Sequence, residues 1–65
     1  MIEFQVSNMT CGHCVAAITK AVKSADPAAT VEIDLAAKQV RIQGNLDAAR
    51  YAGLIRDAGY EPVMN

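Results

Sequence analysis

Cys11 and Cys14 are the residues best equipped for chemistry in this chain, and only Gly12 and His13 stand between them. Thiolates are soft ligands that select Cu(I), zinc or iron–sulfur centres, and they are also the working groups of dithiol redox centres. The pair falls where an alternating segment hands over to an amphipathic one, which predicts the first turn of a helix. Free amides and the positive end of the helix dipole favour anions there, and cysteines at helix amino termini have depressed pKa values. Two thiolates on one turn can converge on a single cation. Iron–sulfur clusters take about four cysteines and structural zinc four ligands. A two-thiolate site instead suits ions that accept near-linear coordination: Cu(I), Ag(I) and Hg(II).

The elements that must position the pair are legible from periodicity. Ile2, Phe4 and Val6 alternate with Glu3, Gln5 and Ser7, the period of a strand with one wet face. Asn8 to Cys11 is loop-like. From Gly12, Val15, Ile18, Val22 and Ala25 recur at helical spacing around Lys20 and Lys23, with Ala21 on the same buried side. Asp26-Pro27 ends that helix. Val31, Ile33 and Leu35 point inward on a second strand. Ala36-Ala37-Lys38 turns, and Val40 and Ile42 mark a third strand, so the two form a hairpin. Asp47 is an N-cap candidate for a second helix carrying Ala48, Tyr51, Ala52, Ile55 and Ala58. Gly59 suits the left-handed position that closes it. Tyr60 to Met64 reads as a short last strand, placed at an edge by Pro62. The order βαββαβ predicts an α+β, ferredoxin-like fold: a four-stranded antiparallel sheet with both helices on one face.

Length and composition narrow the functions available. Sixty-five residues make one domain, 1–65, with a thin core that buries about 60% of the unfolded surface. A deep catalytic cleft has little room. Six Lys+Arg against seven Asp+Glu, a formal net charge of −1, give no basic footprint for nucleic acid. No apolar stretch reaches the ~20 residues of a membrane span, and the amino terminus lacks the basic and apolar blocks of a signal peptide. The expected location is the cytoplasm, where two cysteines two residues apart imply metal or redox chemistry rather than a disulfide framework.

At this length, with Met9-Thr10-Cys11-Gly12-His13-Cys14 at the strand-to-helix junction and Ala58-Gly59-Tyr60 near the carboxyl end, the sequence resembles the heavy-metal-associated domain family. That family includes free copper chaperones, amino-terminal modules of copper-pumping P-type ATPases, and mercury carriers. The resemblance covers nearly the whole chain. It implies that Cys11 and Cys14 are the metal ligands, that Met9 is a buried residue shaping the loop, and that Tyr60 lies beside the site. The Met-Thr lead-in is similar to the copper branch. One departure is Asn8, where many members have glycine; Asn tolerates left-handed geometry better than most residues.

Each site residue also has a plainer reading. His13 is expected to be a solvated loop residue, because adjacent side chains in a helical turn project about 100° apart; a third ligand or a proton-sensitive group is the alternative. Met9 is expected as core filler rather than a thioether ligand. Tyr60 is expected to shield the metal, with its hydroxyl near the thiolates, rather than simply to pack with Ile55. Lys20 and Lys23 form a solvated face, or docking contacts for an acidic partner surface. Cys-Gly-His-Cys is also a disulfide isomerase tetrapeptide, but a thioredoxin fold needs on the order of 100 residues and this chain has no tryptophan.

The expected function is carriage of one Cu(I), with Ag(I) and Hg(II) as alternative ions. The resemblance implies handover by thiolate exchange to the metal-binding domain of a copper-transporting P-type ATPase, with no covalent chemistry on a substrate, so the expectation is not an enzyme. The protein is expected to be monomeric without metal, and a metal-bridged dimer stays open. A regulatory module of a copper or mercury transporter and a dithiol oxidoreductase are the other readings.

Overall fold

Alternation in the first five described residues has a direct structural result. In the computed structural model, which describes residues 2–64, Ile2–Val6 form strand β1, with Phe4 and Val6 buried and Glu3 and Gln5 on the opposite face. The remaining elements are helix α1 (Gly12–Ala25), strands β2 (Thr30–Asp34) and β3 (Gln39–Gln43), helix α2 (Ala48–Asp57) and strand β4 (Pro62–Met64). The sheet order is β2-β3-β1-β4, antiparallel throughout. This is the ferredoxin-like βαββαβ fold that the periodicity predicted.

Register explains why one face is apolar. Phe4 pairs with Val40 and Ile2 with Ile42, while Ile33 and Val31 pair with the same two β3 residues from the other side. Ile18 and Val22 of α1 and Tyr51 and Ile55 of α2 close over that face, and all are fully buried. Each such side chain contributes about 1.5–3 kcal/mol of burial. Tyr51 is the largest of the fully buried side chains. The opposite face carries Glu3, Arg41 and Glu32 in one row across the sheet. The Arg41–Glu3 contact there, at 3.8 Å with both side chains more than two-fifths exposed, adds little stability.

Helix ends follow local chemistry. Asp47 caps α2, its Oδ1 accepting from the Arg50 amide at 2.9 Å. Gly59 closes that helix at φ +98°, a conformation that suits glycine. Three expectations are corrected. Leu35 lies in the β2–β3 turn rather than on β2, which ends at Asp34, whose side chain accepts from the Ala37 amide at 3.1 Å. Ala25 is exposed, because the chain is already leaving the helix toward Asp26. The last strand begins at Pro62 rather than Tyr60, since Tyr60 and Glu61 form the connection out of α2.

The topology sorts the loops between two ends. The β1–α1 loop, the β2–β3 turn and the α2–β4 connection gather at one end; the α1–β2 and β3–α2 connections lie at the other. The start of β1 and the finish of β4 are neighbours at this second end, where Phe4 pairs with Met64.

Candidate metal centre

Helix α1 begins with its positive end uncompensated. Cys11 is its N-cap in an extended conformation, with no side-chain cap bond and no acidic residue in the first turn. The Cys11 carbonyl accepts from the Cys14 amide at 3.1 Å, which starts the first turn and brings the two side chains to the same side. Their sulfurs stand 3.6 Å apart, far beyond the ~2.05 Å of a disulfide. This is a dithiol, with Cys11 exposed and Cys14 buried at 7% exposure.

The local field makes one thiol strongly acidic. The Cys14 pKa is lowered to about 6. The largest cause is the neighbouring Tyr60 hydroxyl, whose O–H favours the thiolate; the backbone at Thr10 and Cys11 adds to it, against the penalty of burial. The Tyr60 phenol is pushed up in return, chiefly because ionisation would forfeit that O–H. The shift favours the thiolate, the form that binds metal.

The other candidate residues lie at different depths around the pair. Met9 is fully buried in the core cluster, so its thioether is packing material beneath the loop. His13 is exposed on the first turn of α1. Tyr60 is half-buried against the core with its hydroxyl toward Cys14. Lys20 and Lys23 are exposed along α1. Among the described residues, no group of three or more His, Cys, Asp or Glu converges to hold a metal, and Cys11 and Cys14 remain the candidate pair.

Two neighbours of the loop were not legible. Lys38, at φ 57° in the β2–β3 turn, donates from Nζ to the Met9 carbonyl at 3.4 Å, and its own carbonyl accepts from the Val6 amide at 2.8 Å. The Asn8 carboxamide accepts from the Glu61 amide at 3.1 Å. Both join residues about thirty or more positions apart, and periodicity carries no trace of such contacts. The glycine-to-asparagine departure at position 8 was the one available signal.

The family described as Heavy-metal-associated domain matches residues 3–61. The chain belongs to that family. Heavy-metal-associated domains occur both alone and within larger chains, and the relatives reflect this. The chain is 34% identical over 61 residues to Copper-transporting ATPase 1 of Rhizobium meliloti (strain 1021), covering 91% of this chain but only 7% of that protein. It is 31% identical over 61 residues to Copper chaperone CopZ of Staphylococcus aureus (strain MRSA252), covering 89% and 90% of the two chains. The solved structure of copper chaperone Atx1 from Synechocystis PCC6803, in a trimeric form with a His61Tyr substitution, superposes with a TM-score of 0.94 at 38% identity, covering 97% of this chain and all of the other.

Proposed function

We propose that this heavy-metal-associated domain carries one Cu(I) between the thiolates of Cys11 and Cys14 and passes it by direct contact to the metal-binding domain of a copper-transporting P-type ATPase. The observation that carries the reading is the pairing of an exposed sulfur with an acidic one at 3.6 Å, in a place where the described residues supply no further ligand cluster. Soft thiolates give affinity, while low coordination and the exposed Cys11 leave room for an incoming sulfur. The exchange is balanced: a partner thiolate forms one bond to Cu(I), one bond to Cys11 or Cys14 breaks, and copper stays Cu(I). No substrate bond is made or broken, so the role is that of a carrier rather than an enzyme. Ag(I) and Hg(II) share the softness that the site selects. The names of the chaperone and ATPase relatives support the copper assignment, and the proposed setting is the cytoplasm, with one domain spanning 1–65. Among the described residues, no helix is long and apolar enough to cross a membrane.

The similarity to a segment of an ATPase favours a second setting, the same site serving as a module of a transporter. Mixing copper-loaded protein with an apo ATPase domain under anaerobiosis, followed by NMR of both, tests the proposal. The transfer rate should rise with partner concentration and exceed spontaneous release. A rate fixed at the unaided dissociation rate would leave a metal buffer, and cycling of a Cys11–Cys14 disulfide without copper would favour the oxidoreductase.

A further inference from the structure

The connection that delivers Tyr60 to the site is held on both sides. On one side the Tyr60 amide bonds the Ile55 carbonyl at 3.3 Å, within the closing turn of α2. On the other side the β1–β4 ladder ends early. Val6 pairs with Pro62, and proline has no N–H to donate. The next donor is the Glu61 amide, but by then the chain that continues β1 has turned away, with the Met9 amide bonding back to the Val6 carbonyl at 3.1 Å. The Asn8 side chain fills the gap, its Oδ1 accepting from Glu61 at 3.1 Å across 53 residues of sequence. A bond at residue 55 and a bond at residue 61 thus bracket Tyr60.

We infer that Asn8 is a positioning residue that keeps Tyr60 beside the Cys14 sulfur, by tying the α2–β4 connection to the loop that carries the cysteines. It acts through Tyr60 and does not touch the metal. Glycine at this position would leave the Glu61 amide to water and the phenol free to swing from the sulfur. The inference rests on Cys11 and Cys14 being the metal site only for its effect on copper; the placement of the tyrosine is testable without metal.

The experiment compares wild type, Asn8→Ala and Asn8→Asp, each also in a Tyr60→Phe background. In the reduced metal-free protein, Asn8→Ala should speed hydrogen exchange at the Glu61 amide and weaken the NOEs between the Tyr60 ring and the Cys14 β protons. Asn8→Asp, which keeps the acceptor, should restore both. With Cu(I) bound, chelator extraction from Asn8→Ala should be roughly threefold faster, within the twofold to tenfold range of one exposed hydrogen bond. That acceleration should vanish when Tyr60 is already Phe, the non-additivity of coupled residues. Unchanged exchange and NOEs in Asn8→Ala would overturn the inference. So would an equal acceleration in both backgrounds, which would mean that Asn8 supports the loop without reference to Tyr60. If the NOE result holds but the wild type retains no Cu(I), the positioning role stands and the carrier reading falls.

Discussion

At one end of the sheet the Tyr51 hydroxyl donates to Asp26 Oδ2 at 2.9 Å; at the other the Tyr60 hydroxyl meets the Cys14 sulfur. Both pairs match a phenol to an acid, and both acids are held below their ordinary pKa. The surroundings differ. Asp26 Oδ2 also takes the Asn45 amide at 2.9 Å, and the Tyr51 oxygen takes the Leu46 amide at 3.1 Å. Gly44 packs so tightly there that a Cβ would run into the Tyr51 hydroxyl and the Asp26 carboxylate. The Tyr51 phenol is pushed up mainly by burial, the Tyr60 phenol mainly by its bond to Cys14. One anion is enclosed and supplied with donors, so it serves the fold. The other is paired with an exposed sulfur, so it can still accept a cation.

The sharpest way to break this comparison is to remove a sulfur. Cys11→Ser or Cys14→Ser puts a hard, protonated hydroxyl in place of a soft thiolate, and Cu(I) affinity should fall by several orders of magnitude in anaerobic competition with a chromophoric chelator. Tyr51→Phe, at the far end, should leave that affinity unchanged, as distant sites usually act independently. The same Tyr51→Phe change should lower the melting temperature by on the order of 10 °C, because a buried carboxylate loses a donor; a calorimetric scan of the apo protein measures it.

Tyr60→Phe is the matched change at the open end. It should scarcely move the melting temperature near pH 5. Its effect is on titration: the Cys14 thiolate midpoint, read from ultraviolet absorbance, should climb from about 6 toward the ordinary 9.0. The sign of the linked stability follows. A thiol acidified by folding stabilises the native state above its unfolded pKa, and that contribution disappears as the pH falls through about 6.

Asp26 gives a smaller, more acidic signature of the same sign. Its folded pKa is lowered, first by the Asn45 amide and then by the Tyr51 hydroxyl. Its contribution is present above the unfolded carboxylate value of about 3.9 and is lost as the pH falls through the folded pKa. Denaturation curves between pH 5 and pH 2 should be flatter in Asp26→Asn than in wild type. The smallest effects belong to residues beside the sulfurs. His13→Ala should keep one Cu(I) per chain and change affinity by less than roughly tenfold, about 1.4 kcal/mol. X-ray absorption showing an imidazole on copper, with a larger loss, would make His13 a ligand.

The open end was more legible in the sequence than the closed one, for a physical reason. A strand with one buried face must alternate, and a helix start with two cysteines is local in sequence, so β1, α1 and the dithiol can be read from consecutive residues. The closed end is made by residues 25 apart that find each other only after folding. Asp26 before Pro27 looked like a helix stop, and Tyr51 at helical spacing looked like core. Both descriptions hold, yet neither announces the bond between them. Asn8 is intermediate: an unusual residue for its place, whose partner at Glu61 appears only once β4 lies beside β1.

The side-by-side placement of the start of β1 and the finish of β4 has a mechanical consequence. Pulling on the two ends loads the β1–β4 ladder in the peeling direction, one rung after another, rather than in shear. The Phe4–Met64 rung goes first, then Gln5–Val63, then Val6–Pro62. The Asn8–Glu61 bond comes after them, and with it the hold on Tyr60. Force spectroscopy should therefore find a low-force opening of the edge strand in which the grip on the sulfurs is the last thing to loosen.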